Sequence, residues 1–535
     1  MPCKTEEIKI FFVDVAVIGF GGAGGCAAIE AFDEGAEVVV LEKQAEISHV
    51  SNTRMSGGAY HSPNPQGNQA ALKKYAKAMF SGENLPWKLE GEQSDYSDEL
   101  AQLWVKYATE NDAFMRNLDP QYKPIFIRGA SFPHFPGAEE SKYEVFMSSY
   151  TGKNDKNTYK YCTKDLPKVQ KDAGEAFHAC ILHGIKNRNI PIHYETRAME
   201  LIINEDGEVT GVKAVNGNRK VIYMARKAVI IASGGFEYNK QMRSSFLEGP
   251  GEKGWAFYGS PENTGDGIVM ALKIGAGLSK VGKASARIIT AISIEKEGLK
   301  IGMMTPAIGK PNELVVDNYG NRYASERRIT KDPSKYTFYK EAVFFDTVNL
   351  LYPRIPSWMV FDDSLRRKGP IVNLVQAKYN SIPWGEENLE AIQKGWILME
   401  STIEKLGVKI KSHPENRELM NPKNLKLTVE KYNSYCEMGE DKEFGREPDT
   451  LGKINEPPFY AVPLYAGGPN TQGGLLTNAK RQVLNWDCTP IPRLYAVGEI
   501  SSVFKFVYQS GGNLAECIAF GRIAGRNAAM ESLFR

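Results

Sequence analysis

Val13-Asp14-Val15-Ala16-Val17-Ile18-Gly19-Phe20-Gly21-Gly22-Ala23-Gly24-Gly25-Cys26-Ala27-Ala28 is the stretch that decides the fold. Val13–Ile18 reads as a short, mostly apolar, partly β-branched strand. Glycines follow at once, and Gly25–Phe32 reads as a helix of small residues. A second strand, Glu37–Leu41, ends in the acid Glu42. Strand, glycine turn, helix, strand and acid within about thirty residues is the order of a dinucleotide-binding βαβ unit. Gly19 permits the tight turn. Gly21 lets backbone N–H groups approach a pyrophosphate, and Gly24 lets helix and strand pack closely. The helix N-terminus favours the anion. Glu42 is placed to accept hydrogen bonds from ribose hydroxyls. The unit does not by itself choose between FAD and NAD.

That choice comes from the far end of the chain. Leu494-Tyr495-Ala496-Val497 is another apolar strand, followed by Gly498-Glu499. Ser510-Gly511-Gly512-Asn513-Leu514 then opens an apolar helix, about 475 residues after the first glycine turn. A nicotinamide domain usually closes within one contiguous stretch. A fold split this widely, with both ends on one cofactor, suits an extended flavin. Ile230-Ile231-Ala232-Ser233-Gly234-Gly235 supplies a third strand and glycine turn.

The remaining sequence narrows the class. The 535 residues are 42% hydrophobic and 24% charged, enough for a large core in two or more domains. Lys plus Arg is 66 and Asp plus Glu is 64, a net charge of +2, with no overall signature of nucleic-acid binding. The seven cysteines are sparse and none stands at C-x-x-C spacing, so reduced thiols and no metal site are expected. The start of the chain lacks the pattern of a secretion signal, and no apolar run is long enough to span a bilayer. The expectation is a soluble, cytoplasmic protein.

Several blocks carry a resemblance. They are Gly19–Gly24 with Glu42, Thr53-Arg54-Met55-Ser56-Gly57-Gly58, Ala232-Ser233-Gly234-Gly235-Phe236 and Asn263-Thr264-Gly265-Asp266-Gly267. Gly473-Gly474-Leu475 and Leu494–Glu499 follow in the same order. Together they resemble the FAD-dependent fumarate reductase and 3-oxosteroid dehydrogenase superfamily, over roughly 10–285 and 450–535. The resemblance implies an α/β fold: a non-contiguous Rossmann-like FAD-binding domain with an inserted α+β capping domain. The expected division is 1–285 and 446–535 for the FAD domain and 286–445 for the cap, which would close over the flavin. The cap is rich in aromatics, most of them expected in its core. The expected cofactor set is Gly19, Gly21, Gly22, Ala23, Gly24, Glu42, Lys43, Asn52, Thr53, Ser56, Gly57, Gly58, Ala198, Ser233, Gly234, Asn263, Asp266, Gly498, Glu499, Asn513 and Leu514. In it, Glu499 would bind near the ribityl chain, and the helix start at Asn513-Leu514 would face the flavin pyrimidine oxygen. Succinate dehydrogenases attach FAD through a histidine six residues before the paired glycines. Ser51 holds that position here and His49 stands two residues earlier, so non-covalent FAD is expected, with a surface or loop role for His49.

Departures from the pattern bear on the substrate. Fumarate reductases hold two carboxylates with arginine and histidine. Gln509 and Pro469 occupy two of those positions here, and the proton-donating arginine has its counterpart near Thr330 or Lys331. The Glu-x-x-Arg relay has no match around Pro306–Gly309. A dianion without cationic partners in a closed pocket costs several kcal/mol, so diacids are disfavoured. Tyr508-Gln509-Ser510-Gly511-Gly512 instead looks like the 3-oxosteroid dehydrogenases, and Tyr-x-Ser-Gly is closest to those acting at the 4,5 bond. There a tyrosine and a glycine N–H four residues later hold the ketone oxygen, the spacing of Tyr508 and Gly512, and Ser510 lies between them. A second tyrosine moves the proton. Tyr336 and Tyr339 are the candidates, with Lys331 as a further acid.

The expected activity is dehydrogenation or reduction of the carbon–carbon bond beside a ring ketone, a 3-oxosteroid or 3-oxo bile acid first. The substrate would be a small hydrophobic ketone. Electrons would pass to or from an external partner: a quinone, a flavoprotein or another carrier. Two rivals remain open. One is an enoate reductase, with a carboxylate held by Arg322, Arg328 or Lys331. The other is a non-catalytic FAD electron-transfer subunit. Residues 85–165, with Tyr143, Phe146, Tyr150 and Tyr159, form a long insertion that is a candidate pocket wall.

Overall fold

The computed structural model describes residues 8–81, 97–130, 132–133, 135–152, 172–247, 249–293, 298–327, 336–504 and 508–534. Its first sheet runs in the order Gln482–Leu484, Pro490–Ala496, Arg219–Ile231, Lys9–Ile18, Val38–Leu41, Ile192–His193. Four of its pairings are parallel. Val38–Leu41 is buried at every position, as a parallel strand covered on both faces must be. The hairpin Thr196–Ile203 and Val209–Asn216 extends the sheet from Arg219–Ile231.

Register explains how distant segments meet. Ile18 and Ala496 both pair with Ile231, and Ile18 pairs with Leu41. The strands therefore end on one line. The glycine turn at Gly19, the acid Glu42, the Ala232–Gly235 turn and Val497–Glu499 all leave the sheet at that carboxyl edge, where open parallel sheets bind ligands. Gly19 has φ +101°, and a Cβ at Gly24 would stand 2.0 Å from the Gly19 carbonyl oxygen. That is the close helix–strand packing read from the sequence. The Gly22–Asp33 helix packs on the C-terminal Gly512–Ala529 helix through small residues: a Cβ at Gly525 would stand 2.3 Å from the Ala27 carbonyl oxygen.

A second sheet runs Trp255–Phe257, Lys300–Met303, Arg287–Ser293, Phe459–Gly468, Ser357–Asp362, Glu313–Val316, with Leu398–Glu400 also on Phe459–Gly468. Its first strand and its central Phe459–Gly468 strand lie outside the 286–445 expected for the cap. The central strand pairs with four others, so the sheet does not close without it. Helices Ile403–Lys411 and Pro422–Met438 cover one face through Leu406, Ile410, Leu425 and Val429 against Trp358 and Val360.

A third, three-stranded sheet joins Ala59–His61, Glu144–Met147 and Ile125–Gly129. It brings part of the 85–165 insertion onto the site. The described cysteines, Cys26, Cys180, Cys436, Cys488 and Cys517, are free. No described helix is long and apolar enough to cross a membrane.

Candidate active site

One cleft runs along the carboxyl edge of the first sheet, and every residue of the expected cofactor set except Gly24 lines it. Gly24 is the packing glycine and faces the turn instead. Glu42 fixes one end: its carboxylate accepts from Phe20 N–H (3.0 Å) and Gln44 N–H (2.9 Å). Burial raises the Glu42 carboxyl above its ordinary range, against the pull of those N–H groups. Thr53 Oγ1 accepts from Gly22 N–H (2.9 Å), tying the first glycine turn to the Thr53–Gly58 block. Ser56 Oγ donates to the Thr53 carbonyl (2.8 Å) and accepts from Gly58 N–H (3.1 Å). Lys43 Nζ reaches Thr264 Oγ1 (3.0 Å) and Asp266 (3.3 Å), and Arg197 pairs with Asp266 from the other side (3.0 Å).

His49 keeps the loop half of its expected surface or loop role and not the surface half. It does lie in a loop, but it is 2% exposed and lines the cleft. It packs against Phe20 and His178, and its Nε2 is buried without a hydrogen-bond partner 3.6 Å from Glu42. Burial lowers its pKa to about 3, so the ring is neutral. The apolar Phe20 side chain draws the histidine inward, a contact that loop composition does not reveal.

Glu499 meets a second carboxylate that sequence reasoning missed, Glu237. Asn52 Nδ2 donates to both, at 2.8 Å to Glu499 and 3.0 Å to Glu237. Thr471 donates to Glu499 through its N–H and its hydroxyl, both at 3.1 Å. Desolvation raises both carboxyls, and their mutual repulsion raises Glu499 further. The two carboxyls therefore titrate as a pair, each above its ordinary range. The only signal was Glu237's place one residue beyond the Ala232–Phe236 block. A carboxyl raised in the folded state contributes its full stability at low pH. That contribution is lost as pH climbs from the ordinary carboxylate range, near 4.5, towards the raised value. Glu237→Gln should therefore flatten the decline of the flavin-free protein's melting temperature between pH 5 and pH 8. Parallel melting curves for variant and wild type would contradict the raised carboxyl pair.

At the other end stands Tyr508, lining the cleft with Ser510, Gly511, Tyr258, Arg128 and Arg287. Burial pushes its hydroxyl up to about 12, opposed in part by Arg287. The loop is held from below by the third sheet. His61 is fully buried, and its N–H donates to the Gly511 carbonyl (3.2 Å). His61 Nε2 lies 3.1 Å from the Ser510 carbonyl, and Nδ1 lies 2.8 Å from Tyr143 Oη. A carbonyl only accepts, so Nε2 carries the proton and the Tyr143 hydroxyl donates to Nδ1. Gln509 is buried and donates to Tyr75 Oη (2.7 Å), away from the cleft. None of His61, Tyr75 or Tyr143 was expected in this role, although Tyr143 belonged to the suspected wall. The wall itself is made by Ile127, Arg128, Val145 and Met147.

Three expectations change here. Gly512 N–H is engaged by the Gln509 carbonyl (2.8 Å), and Gly512 does not line the cleft. The tight turn that starts the helix uses the donor that the spacing had offered to a ketone. Tyr339 is 7% exposed and packs in the core with its ring 6.0 Å from Trp255, outside the cleft lining. The first turn of the Tyr336–Ala342 helix carries Tyr336, whose side chain lies outside the described residues. Tyr258, buried and lining the cleft, is the tyrosine that sequence reasoning passed over. Arg322 is not available to a substrate: it is buried between Glu326 (2.8 Å) and Asp441 (2.9 Å). Arg328, Thr330, Lys331 and Tyr159 lie outside the described residues.

The cleft's donor set fits an extended dinucleotide. It combines a helix N-terminus at Gly22, an acid at Glu42 and a buried Ser233 Oγ without a partner. Among the described residues, no group of three or more His, Cys, Asp and Glu is placed to hold a metal.

Comparison with known proteins agrees with this geometry. The family model for the FAD binding domain matches residues 14–514. The NADH:fumarate oxidoreductase of Klebsiella pneumoniae (strain 342) is 26% identical over 517 residues, covering 96% of this chain and 47% of that protein. The chain thus spans about half the length of that relative. The 3-oxosteroid 1-dehydrogenase of Mycolicibacterium smegmatis (strain ATCC 700084 / mc(2)155) is 24% identical over 589 residues, covering 96% of this chain and 97% of that protein. The crystal structure of 3-ketosteroid delta1-dehydrogenase from Sterolibacterium denitrificans superposes with a TM-score of 0.76 at 23% identity, covering 97% of this chain and 99% of that one. At that identity the likeness speaks for the fold. The match over nearly the whole length places the chain in the FAD binding domain family, and the proteins it is similar to include fumarate reductases and 3-oxosteroid dehydrogenases.

Proposed function

We propose that this protein dehydrogenates or reduces the carbon–carbon bond α,β to a ketone, with ring ketones of the 3-oxosteroid and 3-oxo bile acid type as reference substrates. The observation that carries the reading is Tyr508, whose phenol faces the same cleft as the cofactor set, beside the N-terminus of the Gly512–Ala529 helix. The FAD-holding residues are the glycine turn Gly19–Ala23 with Glu42, the Thr53–Gly58 block, Ser233-Gly234, and Gly498-Glu499 with Asn513-Leu514. Bound there, FAD supplies hydride acceptance or donation.

The chain's own residues do the rest. Tyr508 donates its hydroxyl proton in a hydrogen bond to the carbonyl oxygen. With its pKa near 12 the phenol stays protonated at neutral pH, so it polarises the carbonyl rather than acting as a base. The polarised carbonyl acidifies the adjacent C–H, or makes a conjugated alkene electrophilic. Tyr258 replaces Tyr339 as the candidate for moving the second proton, because it faces the cleft. Electrons enter or leave through an external carrier.

The test is anaerobic. Dithionite-bleached protein is mixed with a 3-oxo-4-ene steroid, a 3-oxo-4-ene bile acid, cinnamate, urocanate or fumarate, and the return of flavin absorbance is followed. Recovery with the ring ketones is the expected result. Recovery with the enoates alone would overturn the ketone reading, and recovery with none of them would favour an electron-transfer subunit.

A further inference from the structure

One short helix is tied to both sides of the cleft. Asn373 is the N-cap of Leu374–Tyr379, and its Oδ1 accepts from Val375 N–H (2.9 Å) and Gln376 N–H (3.3 Å). The capped first turn brings Asn373, Val375 and Gln376 to the lining of the cleft. This end is bound to the second sheet through Met304, the residue after the Lys300–Met303 strand. Asn373 N–H donates to the Met304 carbonyl (2.9 Å), and Gln376 Oε1 accepts from Met304 N–H (2.7 Å).

The last residue of the helix supplies the other tie. Tyr379 Oη donates to Glu175 Oε1, a carboxylate of the Ala173–Asn187 helix. Glu175 is itself built into the cofactor block. Arg54 Nε reaches both of its oxygens and Nη2 reaches Oε2, each at 3.1 Å, while Arg54 Nη1 donates to the His49 carbonyl. The backbone before Glu175 is pinned as closely. Gly174 N–H donates to the Ser56 carbonyl (3.1 Å), and a Cβ at Gly174 would stand 2.3 Å from the Thr53 carbonyl oxygen. Glu175 therefore stands at a fixed place beside the Thr53–Gly58 block. A phenol that donates to an arginine-bound carboxylate makes a charge-assisted bond, stronger than a neutral one. Arg54 is 7% exposed, so water competes little for the group. Tyr379 and Glu175 do not line the cleft themselves, so whatever they do there passes through residues that do.

We propose that Glu175 and Tyr379 form a latch across the cleft, positioning residues that hold Asn373, Val375 and Gln376 of the second-sheet side against the cofactor block. The closed latch slows the departure of FAD and steadies the wall that these three residues make. The inference concerns the cofactor and does not depend on the ketone reading.

The test needs no substrate. Tyr379→Phe removes only the hydroxyl and leaves Arg54 on Glu175. In the FAD-loaded protein, FAD release is followed by the gain in flavin fluorescence on dilution, and amide hydrogen exchange is followed by mass spectrometry. Tyr379→Phe should release FAD about tenfold or more faster, the loss of a charged hydrogen bond. Exchange should rise across residues 373–380 and stay at the wild-type level in the Gly22–Asp33 helix. In a Glu175→Gln background, Tyr379→Phe should add little, because the two groups act through one bond. Lys378→Ala, on the exposed side of the same helix, should release FAD at the wild-type rate. Unchanged release in Tyr379→Phe would overturn the latch, as would a full effect in the Glu175→Gln background. An equal effect of Lys378→Ala, or exchange rising equally in the Gly22–Asp33 helix, would reduce Tyr379 to general support of the fold and overturn it as well.

Discussion

Tyr508→Phe should slow substrate-dependent reoxidation of the reduced flavin by about two to three orders of magnitude, the usual loss when one preorganised donor to a developing oxyanion is removed. The substitution deletes only the hydroxyl. The ring keeps its edge-to-face contact with Phe504, 6.3 Å between centroids, and the loop keeps its bonds to His61 and Tyr75. Cofactor content and dithionite bleaching should therefore match wild type, because Tyr508 lies at the other end of the cleft from Glu42 and Lys43. The phenol sits near pKa 12, so the wild-type rate should show no limb from its ionisation between pH 6 and pH 9. A variant that turns over as fast as wild type would reduce Tyr508 to a packing residue. His61→Leu offers a second view of the same loop. It should lower the rate by relaxing Ser510 and Gly511, whereas Tyr508→Phe should do so without altering them.

The cofactor half of the cleft was legible because its signals are local. Gly19, Gly21, Gly24 and Glu42 lie within one βαβ unit, where spacing alone fixes which backbone atoms face a ligand. The C-terminal blocks at Gly498 and Asn513 were legible for the same reason. Their union with the first block needed only that short parallel strands pair, as Ile18, Ile231 and Ala496 do. The other half was not legible. Arg128 reaches the cleft only because Ile125–Gly129 pairs with Glu144–Met147, which pairs with Ala59–His61. No local pattern encodes that hairpin's placement over Tyr508. Arg287 opens a mostly apolar strand and reads like an ordinary strand end. Tyr339 was expected from its distance after Arg322-Tyr323, but distance along a loop of altered length does not fix the direction of a side chain. Arg322 itself looked free in sequence, because its partner Asp441 is 119 residues away.

That partnership belongs to the strongest expected stability effect. Arg446→Met should destabilise the protein by about 3–5 kcal/mol, the usual cost of removing one member of a buried ion pair. Arg446 has no exposed side-chain surface. It bonds Glu313 Oε1 (2.8 Å) and the Glu313 carbonyl (2.8 Å), and pairs with Glu326 (3.3 Å). Arg322 closes the network onto Glu326 and Asp441, and both guanidiniums lie over the Tyr432 ring at 5.2 and 5.5 Å. Three carboxylates thus face two cations, and the surplus falls on Glu313, whose pKa burial raises to about 7. Its folded-state pKa lies above the ordinary 4.5, so its contribution is complete below pH 4.5 and is lost as pH rises through 7. Glu313→Gln should therefore cost little at pH 5 and gain on wild type by pH 8, opposite in sign to Arg446→Met across the same range. Urea unfolding of both variants at the two pH values reads this directly. A loss under about 1 kcal/mol for Arg446→Met would mean that the network's desolvation and attraction nearly cancel. A Glu313→Gln profile parallel to wild type would place the surplus charge elsewhere. The network joins Glu313–Val316, the Arg322–Glu326 turn and the 441–450 loop, so the predicted loss should appear first as proteolysis in that part of the chain, with the FAD half still folded.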